Sequence, residues 1–255
     1  MELALAAVFA AFIWWFATGA ILYLDGLPRS TFGASLVAAT LLATGAFGAM
    51  AVTRDDTSAV AAYVAFAAAI VMWGWIELTF LTGRITGPRK TIGLPHANFW
   101  RRFRDAFEAI AHHELAILLT GCLILALTWG QPNPVAAWTF IVLWAMRTSA
   151  KLNLFLGVRN DGRELLPAHL AYLASHFARR PVNLLFPVSI IASTTAAVLL
   201  LQQAMAATGG TAIGTMLVAS LLVLGIVEHW LMVLPLPATA LWGWGLKSRD
   251  APRRG

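Results

Sequence analysis

Eight ionisable residues sit inside or at the mouth of otherwise apolar stretches: Glu77, the run His112-His113-Glu114, Arg147, Lys151, and the pair Glu228-His229. A charge near the middle of a membrane helix costs on the order of 2.5 to 3.5 kcal/mol even on lenient insertion scales, so such residues face a bundle interior, pair with one another, or carry function. Three chemistries fit them. The first is ion pairing: Arg147 and Lys151 are four residues apart, share a helical face, and can hold Glu77 or Glu228, or an anionic propionate or phosphate. The second is metal binding by Glu77, Glu108, His112, His113, Glu114, Glu228 and His229, because carboxylates and imidazoles from facing helices build di-iron and di-manganese centres. Against it, neither a Glu-x-x-His nor a His-x-x-x-His spacing occurs, and residues 112–114 point in different directions on a helix. The third is a porphyrin-like ligand with His113 or His229 as axial ligand and Trp73, Trp75 and Trp230 against its flat face. Tryptophans also populate membrane interfaces in general, and Trp100, Trp242 and Trp244 read as such anchors.

The elements that must position these residues are membrane helices. The chain has 59% hydrophobic and 12% charged residues with 11 tryptophans among 255 residues. With a mean hydropathy of +0.73, this composition lies outside the range of soluble globular domains. A hydrocarbon core about 30 Å thick takes about 20 apolar residues per helix. Seven stretches qualify: 3–24, 31–53, 58–82, 113–130, 134–156, 182–206 and 211–235. The fold class expected is therefore all-α and polytopic, one integral membrane domain over 1–255. The first stretch has no basic residue before its apolar run and continues to Leu24, so it reads as a retained helix and not a signal peptide. The single Cys122 excludes an intramolecular disulfide and is expected as a small buried hydrophobe.

Seven spans put 17 of the 18 Lys and Arg residues on one side and Arg54 alone on the other. The positive-inside rule then places the N-terminus outside and the C-terminus, with a basic tail at 247–255, in the cytoplasm. The net charge of +6 is a statement about orientation and anionic headgroups; the expected partner is the lipid bilayer and not nucleic acid. Two cytoplasmic segments have the pattern of interfacial amphipathic helices. Residues 98–112 set Phe99, Phe103, Phe107 and Ile110 against Arg101, Arg104, Asp105, Glu108 and His112; residues 165–178 set Leu166, Leu170, Leu173 and Phe177 against His169, Tyr172 and His176. At about 1.5 Å per residue the depths can be compared. Glu77, Arg147, Lys151, Glu228 and His229 all fall in the cytoplasmic half, with His112, His113 and Glu114 at the mouth of the fourth span. A one-sided polar layer suits an amphiphile or a partner helix better than a channel, which needs polar groups along its whole path.

Several stretches together carry a resemblance. They are Trp73-Gly74-Trp75-Ile76-Glu77 through Phe80-Leu81-Thr82-Gly83, then Thr86-Gly87-Pro88-Arg89, Ala111-His112-His113-Glu114-Leu115, the run from Ser149 to Asn160, and Leu184-Leu185-Phe186-Pro187-Val188-Ser189. From about residue 60 to 235 the chain resembles the PuhE-like family of photosynthetic complex assembly proteins. The resemblance implies a purple-bacterial inner (intracytoplasmic) membrane protein, encoded beside reaction-centre genes. Its implied role is assembly of the reaction centre and core antenna or bacteriochlorophyll supply, with reaction-centre or light-harvesting subunits as partners. It implies no catalytic residue set. The cofactor stays open between a porphyrin-like ligand, which the resemblance implies would be bacteriochlorophyll, and a di-metal centre. A metal-dependent membrane oxidoreductase and a passive scaffold stand as the alternatives to an assembly factor.

Overall fold

The computed structural model of this chain describes residues 1–93 and 98–250. Its long helices are α1 (Glu2–Gly26), α2 (Phe32–Thr53), α3 (Ala59–Leu81), α4 (Phe99–Thr128), α5 (Val135–Leu156), α6 (Leu185–Ala206) and α7 (Gly209–Leu231), followed by a short α8 (Gly243–Asp250). The protein is an all-α, multi-pass membrane protein, and six of these helices are long and apolar enough by themselves to cross a membrane. The exception, α5, has 22 residues and lies against α3, α4 and α7. Its hydropathy is lowered by Arg147 and Lys151, both of which are paired inside the bundle.

Helix is the structure that satisfies every backbone group where water is absent. Hydroxyls inside the spans follow the same logic: Thr40, Thr128 and Thr139 donate to the carbonyl four residues earlier at 2.7 to 2.8 Å. Helix starts are capped at the ends, with Ser58 Oγ accepting from Ala61 N at 3.2 Å and Asn98 Oδ1 from Arg101 N at 2.9 Å. Gly157 ends α5 at φ 118°, a conformation that L side chains rarely adopt.

α3 is central, buried along most of its length, with α1, α2, α5 and α7 around it. α6 packs on α7 and α4 on α5. Small residues let the backbones approach: a Cβ on Gly210 would run into the backbone of Thr57 and Ser58, and one on Gly214 into Val135. The connections divide into two ends. One holds the short loops around 54–58 and 129–134, tied by Asn133 N donating to Arg54 O at 2.9 Å and Asn133 Nδ2 to Thr53 O at 3.0 Å. The other, here the basic end, holds the long connections 82–98 and 157–184 and the C-terminal segment.

Three expectations are revised by packing. Residues 98–112 are no separate helix but the first turns of α4, which runs 30 residues unbroken. One residue of its polar side turns inward, Asp105, buried against Arg89 at 3.2 Å, while Arg101, Arg104 and His112 stay exposed, as do Phe103 and Phe107 of the apolar side. Residues 165–178 contain a 3-10 helix, Ala168–His176, whose Leu170, Leu173 and also His176 are buried over the basic end. Cys122 is exposed on the outer side of α4, since the interior positions of that helix go to Ile117, Thr120, Gly121 and Ile124.

The C-terminal segment turns back after α7, which stops at Leu231 ahead of Pro235 and Pro237. Trp15 Nε1 donates to Leu241 O at 2.7 Å, Trp242 meets Trp14 edge-on with ring centroids 5.4 Å apart, and Trp244 stacks on Phe16. Trp242 is 4% exposed, so Trp242 and Trp244 are packing residues on α1 and not interface anchors. Of the expected basic tail, residues 247–250 belong to α8, where Arg249 Nη2 pairs with Asp25 Oδ1 at 2.7 Å. Residues 251–255 lie outside the described residues.

Candidate functional site

The ionisable residues of the spans gather near the basic end, but in three separate arrangements. In the first, Glu77 of α3 accepts from Arg147 Nη2 of α5 at 3.0 Å, and its other oxygen lies 3.9 Å from His113 Nε2 of α4. His113 is fully buried, stacks on Phe80 with centroids 4.3 Å apart, and neither ring nitrogen has a hydrogen bond. In the second, Lys151 Nζ donates to Glu114 Oε1 at 2.5 Å. The four-residue spacing of Arg147 and Lys151 therefore does serve ion pairing, with Glu114 and not Glu228 as the second acid. Breaking such a pair by removing one member strands the other charge, which is why both cations are tolerated in α5.

The third arrangement is neutral. His229 Nδ1 donates to Gly225 O at 2.9 Å, which leaves Nε2 to accept from Ser149 Oγ at 2.8 Å. Ser149 also meets Ser189 Oγ at 2.9 Å, Asn153 Nδ2 donates to Ser189 Oγ at 3.2 Å, and Asn183 Nδ2 donates to Asn153 Oδ1 at 3.0 Å. This chain of amides and hydroxyls sews α5, α6 and α7 together. Sequence reasoning passed over Ser149, Ser189 and Asn183; the signal was Ser149 and Asn153 four residues apart on one face of α5.

Between these arrangements lies a cavity of about 400 Å³ bounded by α1, α3, α5 and α7. Trp14, Trp73, Trp242 and aliphatic side chains such as Leu143 form its walls; Glu77, Arg147, Lys151, Glu228 and His229 reach it from the sides. Glu228 has no ion-pair partner within 4.0 Å among the described residues. It retains accessible surface because the cavity opens beside it. Arg147 is anchored by Glu77 yet its side chain stays 40% exposed, and its Nε makes no hydrogen bond.

The cavity is closed at the basic end by residues 157–177. Asp161 is the clasp: it accepts from Arg163 Nη2 at 2.5 Å and Arg179 Nε at 3.2 Å. Burial pushes the Asp161 carboxyl up, but its hydrogen bonds from Arg163 and Arg179 outweigh that and hold it below the usual carboxylate range. Asn160 fastens the same loop to the end of α7 through Leu231 O at 2.8 Å and through Leu234 O. His176 lines the cavity from this cap with an unpartnered Nε2. His169 faces away from it, bonding Leu81 O at 2.8 Å. Burial holds both imidazoles below the ordinary histidine range, with Arg89 adding to the effect at His176 and Arg29 at His169. Tyr172 OH is buried without a partner.

The expected metal set is not assembled. Among the described residues no three His, Cys, Asp or Glu side chains converge on a point. Glu108 pairs with Arg89 and Arg104 at 3.7 and 3.6 Å, and His112 is exposed on the opposite side of α4 from His113. His113 lies outside the cavity lining and both nitrogens of His229 are committed, so neither offers a free axial position. Of the three tryptophans expected around a macrocycle, Trp73 alone lines the cavity. Trp75 instead donates to Thr40 at 3.0 Å and Trp230 packs on Phe186.

A family model described as a protein of unknown function, DUF3623, matches residues 1–253. The chain belongs to this family. It is 42% identical over 253 residues to a Rhodobacter capsulatus protein described as an uncharacterized 30.4 kDa protein in the puhA 5′ region, a match that covers 97% of this chain and 92% of that protein. No solved structure matches the chain.

Proposed function

We propose that this DUF3623 protein is a PuhE-like assembly factor of the bacterial inner membrane, with its C-terminus in the cytoplasm. In this reading it serves the building of the reaction centre and core antenna by holding a pigment-class amphiphile. The observation that carries the reading is the cavity. Ligand sites are concave, mostly apolar, and equipped with a few convergent polar groups, and this one combines aromatic and aliphatic walls with Glu228 and the free side of Arg147. A bacteriochlorophyll or one of its precursors is flat, apolar and edged with carbonyl groups. The walls of Trp14, Trp73 and Trp242 suit its face, and the remaining N–H donors of Arg147 suit a keto or ester oxygen. His176 is the cavity imidazole with an unpartnered ring nitrogen and is the residue suited to an axial position on the central metal. The location of the relative beside puhA supports the photosynthetic role, as does the resemblance over residues 60 to 235.

The test is purification of the full chain from photosynthetic membranes, with absorption spectroscopy and mass spectrometry of what accompanies it. Pigment or precursor is expected with the native protein, with its absorption band shifted in His176→Leu and its amount reduced in Leu143→Trp, which fills the cavity. In cells carrying Leu143→Trp as their sole copy, the near-infrared bands of the reaction centre and core antenna should fall. If no pigment accompanies the native protein and Leu143→Trp cells keep normal bands, the reading is wrong, and a scaffold acting through its outer surface takes its place.

A further inference from the structure

The basic end carries a second concavity, on the other side of the 3-10 helix Ala168–His176 from the large cavity. It is formed where the α1–α2 connection, the turn after α3 and that 3-10 helix meet. Three cations line it, Arg29, Arg84 and Lys90, together with Thr86, His169 and Tyr172, and no carboxylate does. None of the three has an ion-pair partner within 4.0 Å among the described residues. Other arginines of the same end are of both kinds: Arg89 is paired with Asp105, Arg163 and Arg179 with Asp161, and Arg249 with Asp25, whereas Arg101, Arg102, Arg159 and Arg180 are also without a carboxylate within 4.0 Å among the described residues. What sets Arg29, Arg84 and Lys90 apart is that they line one concavity. All three are exposed and so solvated, yet they share it without an acid, and their mutual repulsion there would be relieved by a bound anion.

Two further observations favour an anion. Thr86 is buried at the wall, and its hydroxyl makes no hydrogen bond among the described residues; Tyr172, half-buried, lines the same wall, and its hydroxyl has no partner among the described residues. The concavity also lies at the start of α2, which has no side-chain cap, so the positive end of that helix adds to the field. The wall is rigid: Gly83 turns the chain at φ 78° directly under His169, where a Cβ would lie 3.1 Å from Cδ2 of that ring.

We propose that this pocket is a binding site for a phosphate ester, with Arg29, Arg84 and Lys90 as its charge partners and Thr86 and Tyr172 as neutral donors. Its position at the basic end of the spans admits the ester on a lipid headgroup or on a soluble molecule. Either source presents the same oxygens to the same five residues.

The full chain in detergent, stripped of lipid, is titrated with phosphatidylglycerol by native mass spectrometry and with glycerol phosphate by calorimetry. Saturable binding of one or both is expected, without retention of phosphatidylcholine, whose headgroup carries no net charge. Arg84→Gln and Lys90→Gln should each weaken it about tenfold, the weight of one charge-assisted contact. Tyr172→Phe keeps all charges and should weaken it by about threefold, the weight of a neutral hydrogen bond. Arg54→Gln, at the other end of the bundle, should leave it unchanged. Binding of phosphatidylglycerol without glycerol phosphate assigns the site to lipid, and the reverse assigns it to a soluble ester. If the Arg29→Gln, Arg84→Gln and Lys90→Gln triple variant binds both probes as the native chain does, or the native chain binds neither, the proposal falls.

Discussion

Two glycines of α7, Gly214 in the short-loop half of the bundle and Gly225 in the basic half, sit in different surroundings. Gly214, in the short-loop half, is pressed so closely on Val135 that there is no room for a Cβ. Gly225, in the basic half, would set a Cβ 3.0 Å from Met146, a flexible side chain, and it borders the cavity. The first half is held chiefly by close contact of small and apolar residues, an attraction that remains between helices when lipid is as apolar as their side chains. The second is held by ion pairs and hydrogen-bonded amides, strong at a few points, and those points hold the helices around a space. A membrane protein that packed its basic half like its other half would have nowhere to put a ligand.

The largest effect is expected at Glu77. Glu77→Leu strands Arg147 and should cost about 2 to 3 kcal/mol, below the usual penalty for a fully buried pair because the Arg147 side chain keeps 40% exposure, read as a lowered thermal midpoint in detergent. Adding Arg147→Met should restore most of that loss, because it removes the stranded charge. Next in size is Gly214→Leu, which overpacks the tight half and should cost about 1 to 3 kcal/mol; a neutral result would mean that this half is looser than its contacts imply. Glu228→Gln sharpens the contrast from the other side. With no ion pair to lose it should shift stability by less than about 0.5 kcal/mol, while lowering the amount of pigment that accompanies the protein.

The smallest effect is that of acid on the cap. His169 and His176 have folded-state pKa values held below the ordinary value of about 6.5. The unfolded chain therefore binds protons more readily, and their contribution, complete above that ordinary value, declines as pH falls below it. Asp161 is also depressed, so its share persists to lower pH and is lost only as pH falls below the usual carboxylate range. Between pH 7 and pH 5, proteolysis of the 157–177 cap should rise while the amide exchange of α3 stays constant. Equal loosening of both would show that the two halves unfold as one unit.

Much of this was legible in the sequence. Hydropathy placed the spans within a few residues of α1 to α7 except at the start of α4, which begins at Phe99 and not at 113, because a helix in lipid must be apolar for about 20 residues regardless of its neighbours. The basic residues marked one end, and the buried charges were found near it. What was missed depended on neighbours distant in the chain. Phe99, Phe103 and Phe107 have the spacing of an interfacial helix, yet the segment joins α4 and turns Asp105 inward because Arg89 waits there. Trp242 and Trp244 have the composition of interface anchors, yet Gly19 of α1 leaves room for Trp244 and Trp14 packs on Trp242.

The sequence by itself determined the class of the protein, its helices and the end of the bundle where polar chemistry collects, since these follow from composition, period and the expense of charge in lipid. Only the tertiary structure decided the pairing. Arg147 and Lys151 share a face and two acids were at hand for them, but the crossing of α3, α4 and α5 gives them Glu77 and Glu114. Glu228 is left beside open space by the same geometry. Which charges neutralise one another and which remain for a ligand is set by distances of 3 or 4 Å between helices, and one-dimensional spacing does not contain them.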